Sequence, residues 1–343
     1  MIDFRARGYT GPRGMIEAGA QERLDLPPSL ADGKVVRGKD GWLFLDNDSN
    51  RVIAQHTGEL TFTEEQLEQW RYLLETRIAW LERAGAHYHF LVAPNAHSIY
   101  PDKLPDHVRG VAERPIHKLL AHLEAGGSYA RIVYPLNELV AHRADSVHPK
   151  TSSRWSELGA FVAYQALMAD VTKDVAVRVL TIDDVVMHRE ARTGDLGHKV
   201  EPRQRSQYAY LDLREPRARL VHHNRVRNTG SRVEYENDGT LDCLVFGDSP
   251  STRVIPFLAE SFRRLVFAQM PNMDFSLVSE LKPDLVVTIT TERFLIQVPL
   301  DLPGPTQRSL EAKRLAAGDV IPPRPDDTNR IHSRRPSRAA APS

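Results

Sequence analysis

The chain has 343 residues, 41% of them hydrophobic, with 45 Lys and Arg set against 45 Asp and Glu for a formal net charge of zero. That composition excludes wholesale disorder and removes the global positive field that draws a protein to nucleic acid or an anionic membrane. The single cysteine, Cys243, excludes an internal disulfide framework and a cysteine-built zinc site, and none of the 14 histidines stands in an HExxH pair, so no cofactor or metal is implied.

Residues 1–33 are polar, rich in Gly and Pro, and read as a flexible N-terminal arm. They hold no apolar run of the 7–15 residues or so that a secretory signal needs, and no stretch of the chain approaches the ~18–20 apolar residues of a membrane span. If Met1 is the true start, the expected location is the cytoplasm. Asp40-Gly41 is a tight turn opening into the apolar strand Trp42-Leu43-Phe44-Leu45, and residues 49–60 read as irregular. Thr63, with Gln66 three residues on, predicts a capping box. Leu67, Trp70, Leu74, Ile78 and Leu81 then mark one face of a helix ending near Gly85. Tyr88 to Ala93 reads as a buried strand stopped by Pro94-Asn95. A helix over 115–125, a short strand at Ile132-Val133-Tyr134, a helix over 155–168 with one apolar face and a strand over 177–180 follow.

Residues 187–240, rich in Arg, His, Tyr and Gly, read as loops and short strands inserted in the domain. Leu241 to Phe246 predicts a strand running into Gly247-Asp248-Ser249, with a helix over 255–264, a strand over 264–267, a helix over 275–281 and a strand over 284–289 behind it. Alternating strands and helices predict an α/β fold with a parallel sheet covered on both faces. Length alone fits two domains or one large one; the pattern favours one domain over 34–302, followed by a disordered tail over 303–343 whose end is locally basic at Arg330, Arg334, Arg335 and Arg338.

In such sheets functional groups gather beyond the carboxyl ends of the strands. Asn95, the Asp248-Ser249 pair and the run Thr290-Thr291-Glu292-Arg293 stand at three of those ends. A strand, a Gly-Asp-Ser turn and a helix would place the Ser249 hydroxyl where backbone N–H groups stabilise an oxyanion; the same tripeptide equally serves as a helix cap. His222-His223 is too short a cluster for a metal, Cys243 reads as core, and Trp42, Trp70 and Trp80 as packing residues.

Phe246-Gly247-Asp248-Ser249 followed by Pro256-Phe257-Leu258-Ala259-Glu260-Ser261-Phe262 resembles the SGNH hydrolase-like domain of the alginate O-acetyltransferase AlgX/AlgJ family. GKDGWLFL at 38–45, the run at 94–105, RWSELGAFVAY at 154–164, Gly194-Asp195-Leu196-Gly197 and ERFL at 292–295 match in the same order, over about residues 35–302. The resemblance implies a three-layer α/β/α, flavodoxin-like parallel sheet with circularly permuted motif order, the serine coming late. It implies Ser249 as nucleophile, with an Asp-x-His-Trp run supplying a base and its orienter for acetyl transfer to a sugar hydroxyl. Its members are often periplasmic or exported.

The corresponding run here is Ser152-Ser153-Arg154-Trp155, with Ser152 where the carboxylate should be and Arg154 where the imidazole should be. A guanidinium keeps its proton and cannot act as a general base. Two roles stay open for Arg154: an anion clamp beside Ser249 and Asn95, or an ion pair with Asp248 or Glu292. Arg293 likewise reads as an anion contact or a structural pair, and Asp248 as a further substrate contact. His97 and His148 are the imidazoles that a relocated base would use, against a plain reading as loop histidines; Asp145 and His148 also form a D-x-x-H pair. The expectation is a member of this family with impaired or absent catalysis, a pseudoenzyme binding a carbohydrate, an acylated small molecule or proteins of polysaccharide assembly. The alternative is an active O-acetyltransferase or acetyl esterase using Ser249 and a relocated histidine.

Overall fold

The computed structural model describes residues 35–46 and 48–322. The expected N-terminal arm and the basic end of the tail lie outside them. Strands β1 (Val35–Arg37) and β2 (Leu43–Leu45) form an antiparallel ribbon closed by the predicted turn, where Asp40 and Gly41 take φ of 52° and 76°. Leu43 N–H donates to Lys150 O at 2.8 Å and so fastens the ribbon to the segment that carries Ser152 and Arg154. Where irregular chain was expected, a short helix α1 (Val52–Thr57) forms, ended by Gly58 in the left-handed region.

The predicted capping box is present: Thr63 accepts from Gln66 N–H, Gln66 reaches back to Thr63 N–H, and helix α2 (Glu64–Arg83) follows. Next come β3 (His87–Ala93), α3 (Ala96–Ile99), α4 (Pro115–Ala125), β4 (Ile132–Val133), α5 (Leu136–Ala141) and α6 (Glu157–Val171). Helix α6 is buried nearly all round rather than along one face, as befits a helix apolar on every side. Residues 177–180 are not a strand. The Leu180 N–H that a ladder would use donates instead to the Tyr164 hydroxyl, at 2.8 Å.

Residues 187–240 are more regular than their composition suggests. β5 (Val185–Thr193) and β6 (Arg205–Leu213) make a long antiparallel hairpin, and β7 (Arg219–His223) and β8 (Arg232–Glu236) join the main sheet. The chain continues through β9 (Asp242–Gly247), α7 (Ile255–Ala259), β10 (Arg264–Gln269), α8 (Phe275–Leu281), β11 (Leu285–Thr291) and α9 (Gln307–Ala316). The helix after Ser249 is therefore shorter than predicted, and the first part of the supposed tail is helical.

The main sheet runs β4-β3-β11-β9-β10-β8-β7. Its first five strands are parallel; β8 pairs antiparallel with β10 and β7 with β8, so the sheet is mixed at one edge. Leu91, Ala93, Cys243 and Val245 pack on one side with α6 and α7 residues such as Phe161, Leu167 and Phe257. Phe90 and Val92 pack on the other against Trp70 and Leu74 of α2 and Leu119 of α4, and Leu244 and Phe246 against Leu277 of α8. These are the three layers the alternation predicted. Among the described residues no helix is long and apolar enough to cross a membrane.

Candidate active site

Strands β3, β11 and β9 are neighbours, and their carboxyl ends come level: Ala93 pairs with Thr291, and Ile289 with Gly247. This adjacency brings together Asn95, the Glu292-Arg293 pair and the Asp248-Ser249 turn, which are up to two hundred residues apart in sequence. Gly247 is required at the last position of β9, because a Cβ there would lie 2.5 Å from Ser251 Oγ and 2.9 Å from Ile289 O.

Asp248 faces its own fold. One carboxylate oxygen accepts from Thr291 N–H at 2.7 Å and the other from the Ser251 hydroxyl at 3.1 Å, locking the turn to the end of β11. Ser249 is the first residue of a short 3-10 helix over Ser249–Arg253, whose N-cap position is held by Asp248 rather than by the serine. It is half-buried, and among the described residues its hydroxyl has no hydrogen-bond partner.

Neither candidate imidazole reaches it. His97 is 3% exposed and spends Nε2 on Leu45 O at 2.9 Å. His148 is 2% exposed, with Nδ1 3.5 Å from Pro149 O. Burial pushes His97 down to about 3 and His148 down to about 4, so both are neutral near pH 7. A third buried imidazole, His56, which the sequence did not single out, lies with its ring 6.0 Å from that of His97 and is likewise lowered to about 4 by burial.

Arg154 makes neither of the ion pairs anticipated for it. Glu292 is already engaged by Arg114 Nε at 3.0 Å, Asn95 N–H at 2.9 Å and the Ser98 hydroxyl at 2.7 Å. Asp248 is held by backbone and Ser251, as above. The half-buried guanidinium of Arg154 acts electrostatically on Asp195 and Arg293. Arg293 is 7% exposed; its Nη1 donates to Asn95 Oδ1 at 3.2 Å, and its guanidinium carbon stands 4.5 Å over the Phe294 ring. Its Nε is 3.4 Å from an Asp48 oxygen but too poorly aligned for a hydrogen bond. Burial lowers its pKa against the raising pull of Asp248, Asp48 and Asp195.

Asn95, His97, Ser152, Ser153 and Arg293, with Leu43 and Leu45 of β2, line a small, shallow polar cleft. Behind Ser152 and Ser153 the turn at 194–197 docks on Thr151. Gly194 N–H and the N–H groups of Leu196 and Gly197 all point at Thr151, and a Cβ on Gly194 would sit 2.0 Å from Thr151 O. That close approach presents the Asp195 carboxylate to Ser153, from whose backbone N–H it accepts at 2.8 Å and whose hydroxyl also donates to it. Burial pushes the Asp195 carboxyl up, but the hydrogen bonds from Ser153, the nearby Ser152 hydroxyl and the charge of Arg154 hold it below the usual carboxylate range. The acid between two glycines was visible as a motif; its docking on Thr151, across more than forty residues of chain, was not. Trp155, retained from the family run, donates Nε1–H to Pro250 O at 3.0 Å and so joins the start of α6 to the serine turn. Among the described residues no three His, Cys, Asp or Glu side chains are grouped to hold a metal ion.

This end of the sheet therefore carries a serine at a strand end, carboxylates, guanidinium groups and neutral imidazoles, but among the described residues no hydrogen bond links the serine to a base. Residues 35–262 match the family model for the SGNH hydrolase-like domain of the acetyltransferase AlgX. Among solved structures the chain is similar to PatB1 of Bacillus cereus, at TM-score 0.58 and 12% identity over 77% of this chain and 99% of that one. It is similar to the O-acetyltransferase domain of Pseudomonas putida AlgJ, at TM-score 0.52 and 16% identity over 82% and 100%. A DHHW family protein from Eubacterium siraeum aligns at TM-score 0.52 and 15% identity over 77% and 96%. At these identities the structures speak to the fold alone. No curated protein matches the sequence.

Proposed function

We propose, from the premise that this chain belongs to the AlgX family of SGNH hydrolase-like acetyltransferases, that it is a member whose acyl-transfer chemistry is silenced and whose cleft binds a saccharide or a protein of polysaccharide assembly. One observation carries the reading: the Ser249 hydroxyl has no imidazole partner, and the position from which the family supplies one holds Arg154. A serine hydroxyl is a poor nucleophile until a base takes its proton. General-base assistance contributes about 10²–10⁴-fold, and a guanidinium cannot give it. The hydroxyl, amide, imidazole and guanidinium groups around the cleft offer the mixed donors and acceptors that hydrogen-bond a sugar.

The competing reading, an active acetyl esterase or O-acetyltransferase with His97 or His148 as relocated base, has one feature in its favour: both imidazoles are neutral near pH 7. Hydrolysis of an acetyl ester by the wild type, Ser249→Ala and Ser152→Asp/Arg154→His separates the two. The expected result is a wild-type rate no higher than that of Ser249→Ala, with a gain only in the double variant. Turnover by the wild type that Ser249→Ala abolishes overturns the proposal.

A further inference from the structure

The family pattern puts a carboxylate at position 152, and this chain has Ser152 there; yet a carboxylate is present at the spot. Asp195 arrives from the 194–197 turn, accepts from Ser153 N–H at 2.8 Å and from the Ser153 hydroxyl, and feels the charge of Arg154. We infer that Asp195 is a positioning residue that fills the vacated carboxylate place, so that the cleft lacks only the base and one substitution, Arg154→His, suffices to restore acyl transfer. This rests on the reading of the site as a silenced acyl-transfer pocket.

Three features of the site support it. The 151–155 segment is held from both ends: Thr151 is clamped by the N–H groups of residues 194, 196 and 197, and Trp155 is tied to Pro250 beside Ser249. The side chain at 154 therefore starts from backbone fixed one residue from the tie to Pro250 and one residue from Ser153, which holds Asp195. Asp195 is held below the usual carboxylate range and is gripped by two donors on Ser153, which keeps its orientation when its neighbour changes. The charged and titratable groups that interact with it are Arg154 and His148 from the chain leading into α6, Arg293 from just after β11 and Tyr208 from β6, with Arg253 acting in turn on His148 and Tyr208. Among these, Arg154 is the one at the family's base position.

In the Arg154→His variant the chemistry balances without a further reactant. The Ser249 proton passes to the introduced imidazole as Oγ bonds to the acetyl carbon, and then to the departing alcohol as the ester C–O bond breaks. Water attacks the acetyl-serine and gives one proton to the same imidazole; that proton returns to Ser249 Oγ as the C–O bond breaks, and the acetic acid released gives its remaining acidic proton to solvent as acetate.

Ester hydrolysis and the pKa of the introduced imidazole, the latter read by NMR and so independent of activity, test the assignment. Arg154→His alone, with Ser152 kept, is expected to exceed the wild-type rate by at least about 10²-fold, and Ser249→Ala to remove the gain. Adding Asp195→Asn to Arg154→His is expected to lower the rate by about 10²–10⁴-fold and to drop the imidazole pKa and the rising limb of the pH profile together. Asp195→Glu should keep part of both. A gain confined to Ser152→Asp/Arg154→His, or an imidazole pKa unmoved by Asp195→Asn, overturns the inference while leaving the silenced-pocket reading intact. Ser249-dependent turnover by the wild type instead sinks that reading.

Discussion

Three imidazoles and two guanidinium groups decide the chemistry at the residue scale, and burial sets the state of most of them. His56, His97 and His148 are 3%, 3% and 2% exposed and are held neutral by desolvation, from an ordinary value of 6.5 down to about 4, 3 and 4. Their folded-state pKa values lie below the unfolded ones, so between pH 6.5 and 4 the unfolded chain binds more protons. Their contribution is complete above about pH 6.5 and is lost as pH falls toward 4. Each such group tilts stability by up to about 1.4 kcal/mol per pH unit in that window. Urea unfolding at pH 7.5 and pH 5 should show a clear loss at the lower pH, and His56→Phe should shrink the difference; equal midpoints at the two pH values would refute this account. Ser249, Asn95 and Arg293 were legible as strand-end polar residues. The histidines' states were not, because a sequence does not say which imidazoles are covered. Nor could it show that Glu292, bonded to Arg114, Asn95 and Ser98, is the organiser of that strand end rather than a partner for Arg154.

Among the elements, those with a strong period or a cap were readable, and those stabilised by distant partners were not. The Thr63–Gln66 box fixes where α2 begins; Thr63→Ala should cost about 1 kcal/mol in urea unfolding and leave any ligand affinity unchanged. β3, β9 and β11 announced themselves as apolar runs. β7 and β8 did not, because the edge strand β7 and its neighbour β8 are rich in charged residues and held by ion pairs such as Glu234 with Arg232 and Arg264. At the end of β9 the limit is steric: Gly247→Ala would press a methyl on Ser251 Oγ and Ile289 O. It should displace the serine turn and weaken binding in the cleft more than it lowers the melting temperature, which parallel calorimetry and melting would show.

Across the whole molecule, a strand order that sets β11 between β3 and β9 gathers residues near 95, 248 and 292 at one end of the sheet. The late serine and the motif order made that assembly readable in outline. The turn at 194–197 and the helix beyond residue 306 join it through contacts that no local pattern records. Far from the cleft, Arg77 and Asp301 form a buried two-point pair, at 2.7 and 2.8 Å, that ties α2 to the chain after β11. Asp301→Ala leaves a buried cation without its partner and should cost about 3–5 kcal/mol, seen as a large fall in unfolding midpoint.

The same end of the chain has a practical corollary. Gln307 N–H donates to Asp274, its side-chain amide donates to Gly230 O, and Val320 bridges to Val226. Trimming the polypeptide at the proline-rich stretch near 303, where composition alone invites the cut, would strip a strap from the outer edge of the sheet. A shortened version meant for crystals or binding work should keep everything up to Pro322.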